Sequence, residues 1–442
     1  MTEVRDWNGR TYRVGEQPEE LIGRPRSAVL RNAWAAMAAV GVLQYGFGAA
    51  VPALTERNGW SLVETFWLLA VWVVFQAGAG FPVAHLRERG RLGSRSVMVA
   101  GAVLCGIGVL SLAHGTDLVV VLLGYSVLGG TGAGLVYAAC TSTVAKWYPD
   151  RMAAKVGLVT GAFAYGSAPL VIAAVIGLDA ATLPIALDVV AVLVVLLVLV
   201  PGAGLQEPPA NWWPADVDPR AWALARRSNP PAVRDYSAQQ ALRTRALPVM
   251  WAILLCAGAV ALFNAAFVVV FAAGIGAGTA AVALAAGLLV GVGGASRAVA
   301  VGISERRGRC RTIAVVLLVQ ALGQALLAAA SASGSAAVLV LVLGACVAGM
   351  GGGGFYPLFA SLAREFFGER NALTVHAVVY SAKAGGGLLG IGLAASAVVA
   401  WGFTGTFLLA ACVSLGSAWA TGALQRPGLR SLLPLHRPMP AG

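Results

Sequence analysis

Arg297 and Lys383 stand in stretches that otherwise read as the apolar interior of a membrane. Arg297 lies in GLLVGVGGASRAVAVGISERRGR (287–309) and Lys383 in LTVHAVVYSAKAGGGLLGIGLAASAVVAW (373–401). A charge at the centre of such a stretch costs about 2.5–3.5 kcal/mol on insertion scales. The nearest acidic candidates, Glu64 and Asp188, fall near the opposite ends of their own apolar stretches. Two deep cations without a protein counter-ion point to an anionic ligand. Snorkelling to the interface, or pairing with backbone carbonyls, is the alternative. Arginine stays charged at any physiological pH and presents a fork that takes a carboxylate in two bonds, whereas lysine offers a point charge.

The neighbouring residue types suit that chemistry. His376, Tyr380, Lys383 and Gly387 follow an i, i+4, i+7, i+11 spacing and share one helix face. Gln44, Tyr45, Gln76, Tyr137, Phe355 and Tyr356 fall at middling depth in other apolar stretches. Aromatic walls with a few hydrogen-bonding tips fit a small planar anion. His376 is the one titratable neighbour, and so the candidate proton or gate residue should the ligand carry a single charge. A purely structural histidine is the other reading.

The elements that must position these residues are membrane helices. Of 442 residues, 58% are hydrophobic and 11% charged, against about 25% charged in soluble domains. Spans are expected near 31–54, 62–84, 95–114, 117–141, 154–178 and 181–202, then 247–273, 277–303, 312–332, 334–360, 374–400 and 402–424. The division is a segment at 1–30, six helices over 31–202, a linker at 203–246, six more over 247–424 and a tail at 425–442. The first residues show no apolar h-region and no small-residue cleavage site, so no cleaved signal is expected.

The net charge of +12 could indicate nucleic acid, but its distribution does not. Apart from Arg57, Arg297 and Lys383, every Lys and Arg falls in a terminal segment or in alternate loops. That asymmetry predicts both termini on the cytoplasmic side of the cell membrane, with some attraction to anionic lipid. Trp212 and Trp213 in the linker are expected at headgroup level. Six scattered cysteines give neither a disulfide framework nor a metal site, and no cofactor is expected.

The two sets of six repeat at an offset of about 217–220: GGTGAGLVYAACTSTVAKWYPDR (129–151) parallels GMGGGGFYPLFASLAREFFGER (349–370), and Gln44 parallels Asn264. Paired repeats of this kind rock about a site at their interface. The deep charges do not repeat, since alanines occupy the counterpart positions near 79 and 164. A packing requirement common to both repeats would not produce that asymmetry.

Gly302, Glu305, Arg306, Gly308 and Arg309, in GISERRGR, resemble the loop signature of the major facilitator superfamily, with Glu in place of the usual Asp. A first copy, HLRERGRLGSR (85–95), is shortened and its leading Gly is displaced. YSAK (380–383), GASRAVAVGISERRGR, KWYPDR (146–151), GGGGFYPLFA (351–360) and PPANWWPADVDP (208–219) resemble the oxalate–formate antiporter family within it. The resemblance implies an all-α fold of twelve transmembrane helices in two pseudo-symmetric halves. It implies a secondary transporter of small mono- or dicarboxylates that works by alternating access, with the superfamily's tendency to be monomeric. In that family the matching arginine and lysine hold the two ends of the anion. Aromatic residues cage it, here Tyr45, Tyr137 and Tyr356, with Tyr165 as a further carry-over. Proton-coupled monocarboxylate symport and an anion-binding membrane receptor are the competing readings. An enzyme is not expected, because no Ser/His/Asp arrangement, H-E-x-x-H or phosphate-cradling G-x-x-x-x-G-K-[ST] occurs.

Overall fold

The computed structural model describes residues 2–5, 11–88, 91–225, 228–230, 232 and 234–428. The expected tail beyond 428 and part of the shortened loop copy at 85–95 therefore lie outside the described residues. Among those described, ten helices are long and apolar enough to cross a membrane. The first span is the bent pair Arg26–Tyr45 and Phe47–Asn58, turned by 44°, which counted as one brings the number to eleven. The last helical stretch, Ala372–Ala423, has 52 residues, far more than the ~20 that cross a bilayer. It is interrupted at Gly402 (φ 72°, ψ 173°), a conformation that favours glycine. The interruption falls between the eleventh and twelfth expected spans, 374–400 and 402–424.

The remaining spans, second to tenth, are Leu62–Val83, Ser94–His114, Leu118–Trp147, Met152–Gly177, Leu183–Ala203, Ala246–Gly274, Thr279–Arg307, Arg309–Ala330 and Gly334–Phe367. The ninth and tenth extend beyond their expected ends because polar residues there find partners. Arg309 opens the ninth span at 2% exposure and donates through Nε to Glu365 Oε1 at 3.2 Å, in the last turn of the tenth. It also donates to Glu305 Oε1 and Ser304 Oγ. Gly308 has φ 89°, which lets the chain reverse between the eighth and ninth spans. Within the loop signature, then, Arg309 is the residue that ties spans together, while Arg306 and Gly302 are exposed.

Helix packing rests on close backbone approach, since lipid gives helices no hydrophobic reason to associate. A Cβ on Gly353 of the tenth span would meet Gly293 O of the eighth at 1.8 Å. One on Gly41 of the first span would meet Phe163 O of the fifth at 1.8 Å, so that contact also sets where Phe163 lies.

The linker is more structured than its polar composition indicates. β1 (Thr2–Arg5) pairs antiparallel with β2 (Thr11–Val14), and β2 pairs parallel with β3 (Trp212–Trp213). Trp212 and Trp213, expected at headgroup level, are 4% and 3% exposed, so both rings are held within the protein. Trp212 packs edge-on against Trp147 and donates to Glu16 O, and Trp213 packs against Tyr12 and Trp222. Both indole N–H groups are satisfied within the protein.

Glu207 of the linker accepts from Arg87, Lys146 and Ser94. Arg87, from the shortened loop copy, also donates to Ser142 Oγ at 2.5 Å and Ala138 O at 3.1 Å in the fourth span. The shortened copy therefore still anchors its own end of the bundle. Burial pushes the Glu207 carboxyl up, but the Arg87 charge and the Lys146 and Ser94 hydrogen bonds outweigh it and hold the group below its ordinary 4.5.

Two outcomes follow from this packing. Gly353→Val should abolish monodisperse protein in detergent, whereas Gly302→Ala, which has nothing within 4 Å of its virtual Cβ, should leave it unchanged on size-exclusion chromatography. Glu207→Gln should cost about 1.5–3 kcal/mol at pH 7, the range for hydrogen bonds to charged groups. Because the folded pKa is depressed, the wild-type advantage is complete above ~4.5 and shrinks as pH falls through the folded value. Melting curves of the two proteins in detergent from pH 7 to pH 3 measure that convergence.

Candidate functional site

Lys383 is 3% exposed, and its Nζ donates to Gln44 Oε1 at 2.7 Å and Gln76 Oε1 at 2.8 Å. The ammonium lies 5.4 Å from the ring centroid of Phe163 and 5.6 Å from that of Tyr380. Arg297, also 3% exposed, donates through Nη2 to Tyr45 Oη at 2.9 Å and through Nη1 to Thr160 O. Its guanidinium carbon sits 5.3 Å from the centroid of Tyr356. Every acceptor found for the two cations among the described residues is neutral. Each of these acceptors belongs to the first six spans, and both cations belong to the last six.

The tyrosines connect the two cations into one layer. Tyr137 stacks on Tyr380, with centroids 5.2 Å apart and ring planes at 19°. Tyr356 lies 6.4 Å from Tyr380 and 4.4 Å from Phe355. Phe163 meets Tyr45 edge-on at 5.9 Å and Tyr137 at 5.5 Å. Arg297 is ten residues from the end of its helix at Arg307, and Lys383 is eleven from Ala372, so each lies about 15–17 Å from the face that carries the basic loops. Snorkelling does not describe either side chain, since both are buried and hydrogen-bonded inside the bundle, whereas the alternative of pairing with a backbone carbonyl is met in part by Arg297 through Thr160 O.

Cavities flank this layer. Towards the basic face lies a space of about 570 Å³ bordered by Tyr137, Thr160, Tyr356, Arg364 and His376. Beside it, a space of about 490 Å³ is bordered by Gln76, Arg87, Tyr137, His376 and Tyr380. Towards the other face, a space of about 380 Å³ touches Tyr45, Asn264, Gly293 and Tyr356. Neither cation lines any of the three. Tyr356 borders a cavity on each side, so its ring is part of the partition between them.

The expected residues divide into groups. Gln44, Gln76, Tyr45, Tyr137, Tyr356 and Tyr380 meet around Arg297 and Lys383. His376 lies one step towards the basic face, its ring 5.7 Å from Tyr380 and its Nδ1 without a partner. Tyr165 is turned elsewhere, its hydroxyl donating to Leu158 O at 3.2 Å and accepting from Trp34. Gly302, Glu305, Arg306, Gly308 and Arg309 lie at the basic face, away from the layer. Two participants were not anticipated. Phe163 could have been found as an aromatic two residues before Tyr165 in the same span. The Thr160 carbonyl carries no residue-type signal at all.

The family model of the Major Facilitator Superfamily matches residues 33–390. The chain belongs to that superfamily. It is a multi-pass membrane transporter and not an enzyme. The oxalate:formate antiporter of Oxalobacter formigenes is 24% identical over 400 residues, which are 89% of this chain and 90% of that protein. Monocarboxylate transporter 11 of Homo sapiens is 34% identical over 128 residues, 28% of this chain and 27% of that one. A crystal structure of a mutant of the nucleoside transporter NupG covers 90% of this chain and 99% of its own, with a TM-score of 0.64 at 13% identity. At that identity the likeness establishes the superfamily fold alone.

Replacing Gln44 or Gln76 by Leu removes one acceptor from a buried ammonium. Each single change should cost about 1.5–3 kcal/mol of stability in detergent. Adding Lys383→Met to the double Leu variant should recover most of that loss, because a buried charge without its partners is worse than an apolar group of similar shape. Thermal unfolding of the full set tests the coupling. Additive losses would show that the amides do not serve the ammonium.

Proposed function

We propose that this transporter exchanges small carboxylate anions across the membrane by alternating access, with Arg297 and Lys383 as the two arms of an anion clamp. The observation that carries the reading is the pair of buried cations whose acceptors, among the described residues, are neutral groups on the facing spans. A carboxylate entering the layer offers each cation a charged acceptor, and a charge-assisted bond is roughly twice as strong as a neutral one. Arg297 takes a carboxylate through its fork, and Lys383 takes the far end of a dianion. Tyr45, Tyr137, Tyr356 and Tyr380 supply the aromatic walls, and Gln44 and Gln76 move from holding the ammonium to holding the ligand. Similarity to the Oxalobacter antiporter over nearly its whole length supports this class of cargo.

The clamp gives a physical reason for obligatory exchange. An empty layer that reorients carries two uncompensated positive charges through a low-dielectric passage, whereas a bound dianion cancels both. On this reading the chain works as a monomer in the cell membrane, with the basic loops and both termini cytoplasmic, as the charge asymmetry favours. A second reading is proton-coupled symport of monocarboxylates. It is favoured by the partial similarity to monocarboxylate transporter 11 and by His376, whose unpartnered Nδ1 belongs to a side chain bordering two cavities.

Uptake of labelled oxalate, formate and lactate into proteoliposomes, with and without internal anion, tests the proposal. Uptake that requires an internal anion is expected, and Lys383→Gln or Arg297→Gln should each reduce its initial rate at least 100-fold. Wild-type rates in either variant would overturn the clamp. Lactate uptake that follows an imposed pH gradient without internal anion would replace exchange by symport.

A further inference from the structure

The cavity on the far side of the tyrosine layer holds a polar group that the clamp does not use. Asn264, in the seventh span, is 2% exposed, borders this cavity, and has no hydrogen-bond partner on either its amide nitrogen or its amide oxygen. The other residues of its own helix at this surface, Ala261, Leu262 and Ala265, are apolar, as are Leu289 and Val290 opposite. A carboxamide that folding leaves unpaired in such surroundings is a cost unless something enters to satisfy it.

We propose that this cavity is a second carboxylate site, a staging position through which the anion passes on its way to or from the clamp, with Asn264 as its anion-binding side chain. The inference rests on the carboxylate reading above. The amide NH₂ offers two donors to a carboxylate. Tyr45 borders the same cavity, and its oxygen accepts from Arg297, which leaves its own proton for a further partner. Tyr45 therefore belongs to both positions and connects them. Depth separates the two sites. Asn264 is eighteen residues from Ala246 at the basic face, about 27 Å, against about 15 Å for Arg297 from its own helix end. An anion arriving from the face opposite the basic loops meets Asn264 before it reaches either cation. The site holds neutral donors only, so it binds weakly and releases readily, as a staging position requires.

The test measures anion exchange in proteoliposomes treated with external trypsin. Trypsin cuts carriers whose basic loops face outwards and leaves a single active orientation. With the anion that the wild type carries, Asn264→Leu should raise KM about 10-fold for entry from the face opposite the basic loops. KM from the basic face, measured by counterflow, should stay within twofold. Asn264→Asp, which places a negative charge in the path, should raise the same KM about 100-fold. Asn264→Ser, which keeps one donor and reads the site even where the leucine variant does not fold, should fall between wild type and Asn264→Leu. Unchanged KM in the Asp and Ser variants would overturn the staging site and leave the clamp standing. So would equal changes at both faces, or a fall in maximal rate alone. A wild type that exchanges no carboxylate would overturn both.

Discussion

The structure turns on two buried positive charges whose acceptors, among the described residues, are all neutral. A buried ammonium or guanidinium must be hydrogen-bonded, because desolvation without compensation costs several kcal/mol. Lys383 meets that requirement with two glutamine oxygens and Arg297 with a tyrosine hydroxyl and a peptide carbonyl. All four acceptors come from the first six spans, so satisfying the charges also draws the two sets of spans together at mid-depth. The aromatic layer follows from the same requirement. Ring faces at 5.3–5.6 Å add cation–π attraction where water is absent, and the rings stack on each other to keep that geometry.

Close backbone contacts and end staples hold the layer in register. The glycine contact between the first and fifth spans sets the position of Phe163, and that between the eighth and tenth brings the helices of Arg297 and Tyr356 together. At the basic face each set of spans is tied by an arginine and a glutamate, Arg87 with Glu207 and Arg309 with Glu365. The linker takes part in both ties, because Asn229 accepts from the Arg309 backbone N–H at 3.1 Å and donates to Ser304 O at 2.9 Å. One segment between the two sets of spans thus contributes hydrogen bonds to the basic end of each.

Much of this was legible in the sequence, for a physical reason. A charge in an apolar span is expensive, so Arg297 and Lys383 announce themselves. Polar and aromatic residues at matching depth, Gln44, Gln76, Tyr45, Tyr137, Tyr356 and Tyr380, were recoverable because helical rise converts sequence position into depth. Rotation about the helix axis and backbone participation are not written in residue types. Tyr165 shares a span with Phe163, yet Phe163 faces the ammonium while Tyr165 turns to Trp34. Trp212 and Trp213 have the composition of interfacial anchors, and packing on rings remote in sequence, Trp147 and Tyr12, with pairing to β2, helps to bury them. The break expected between 400 and 402 coincides with Gly402, where the backbone leaves helical geometry inside one apolar run.

The neutrality of the acceptors also bears on how the layer opens. Had Lys383 been held by an aspartate, an incoming carboxylate would compete with an equal charge at a shorter tether and would gain little by displacing it. Against an amide oxygen it exchanges a neutral bond for a charge-assisted one, so the difference favours the ligand. The same exchange frees Gln44 and Gln76 of the first and second spans from the eleventh, and Tyr45 of the first from the eighth. Those bonds cross between the two sets of spans. On the proposed clamp, an anion that takes over the cations would therefore replace these direct bonds between the sets by bonds that run through the ligand. On that proposal ligand binding and release of the direct bonds between the sets would be one event, which a layer of internal ion pairs would not provide.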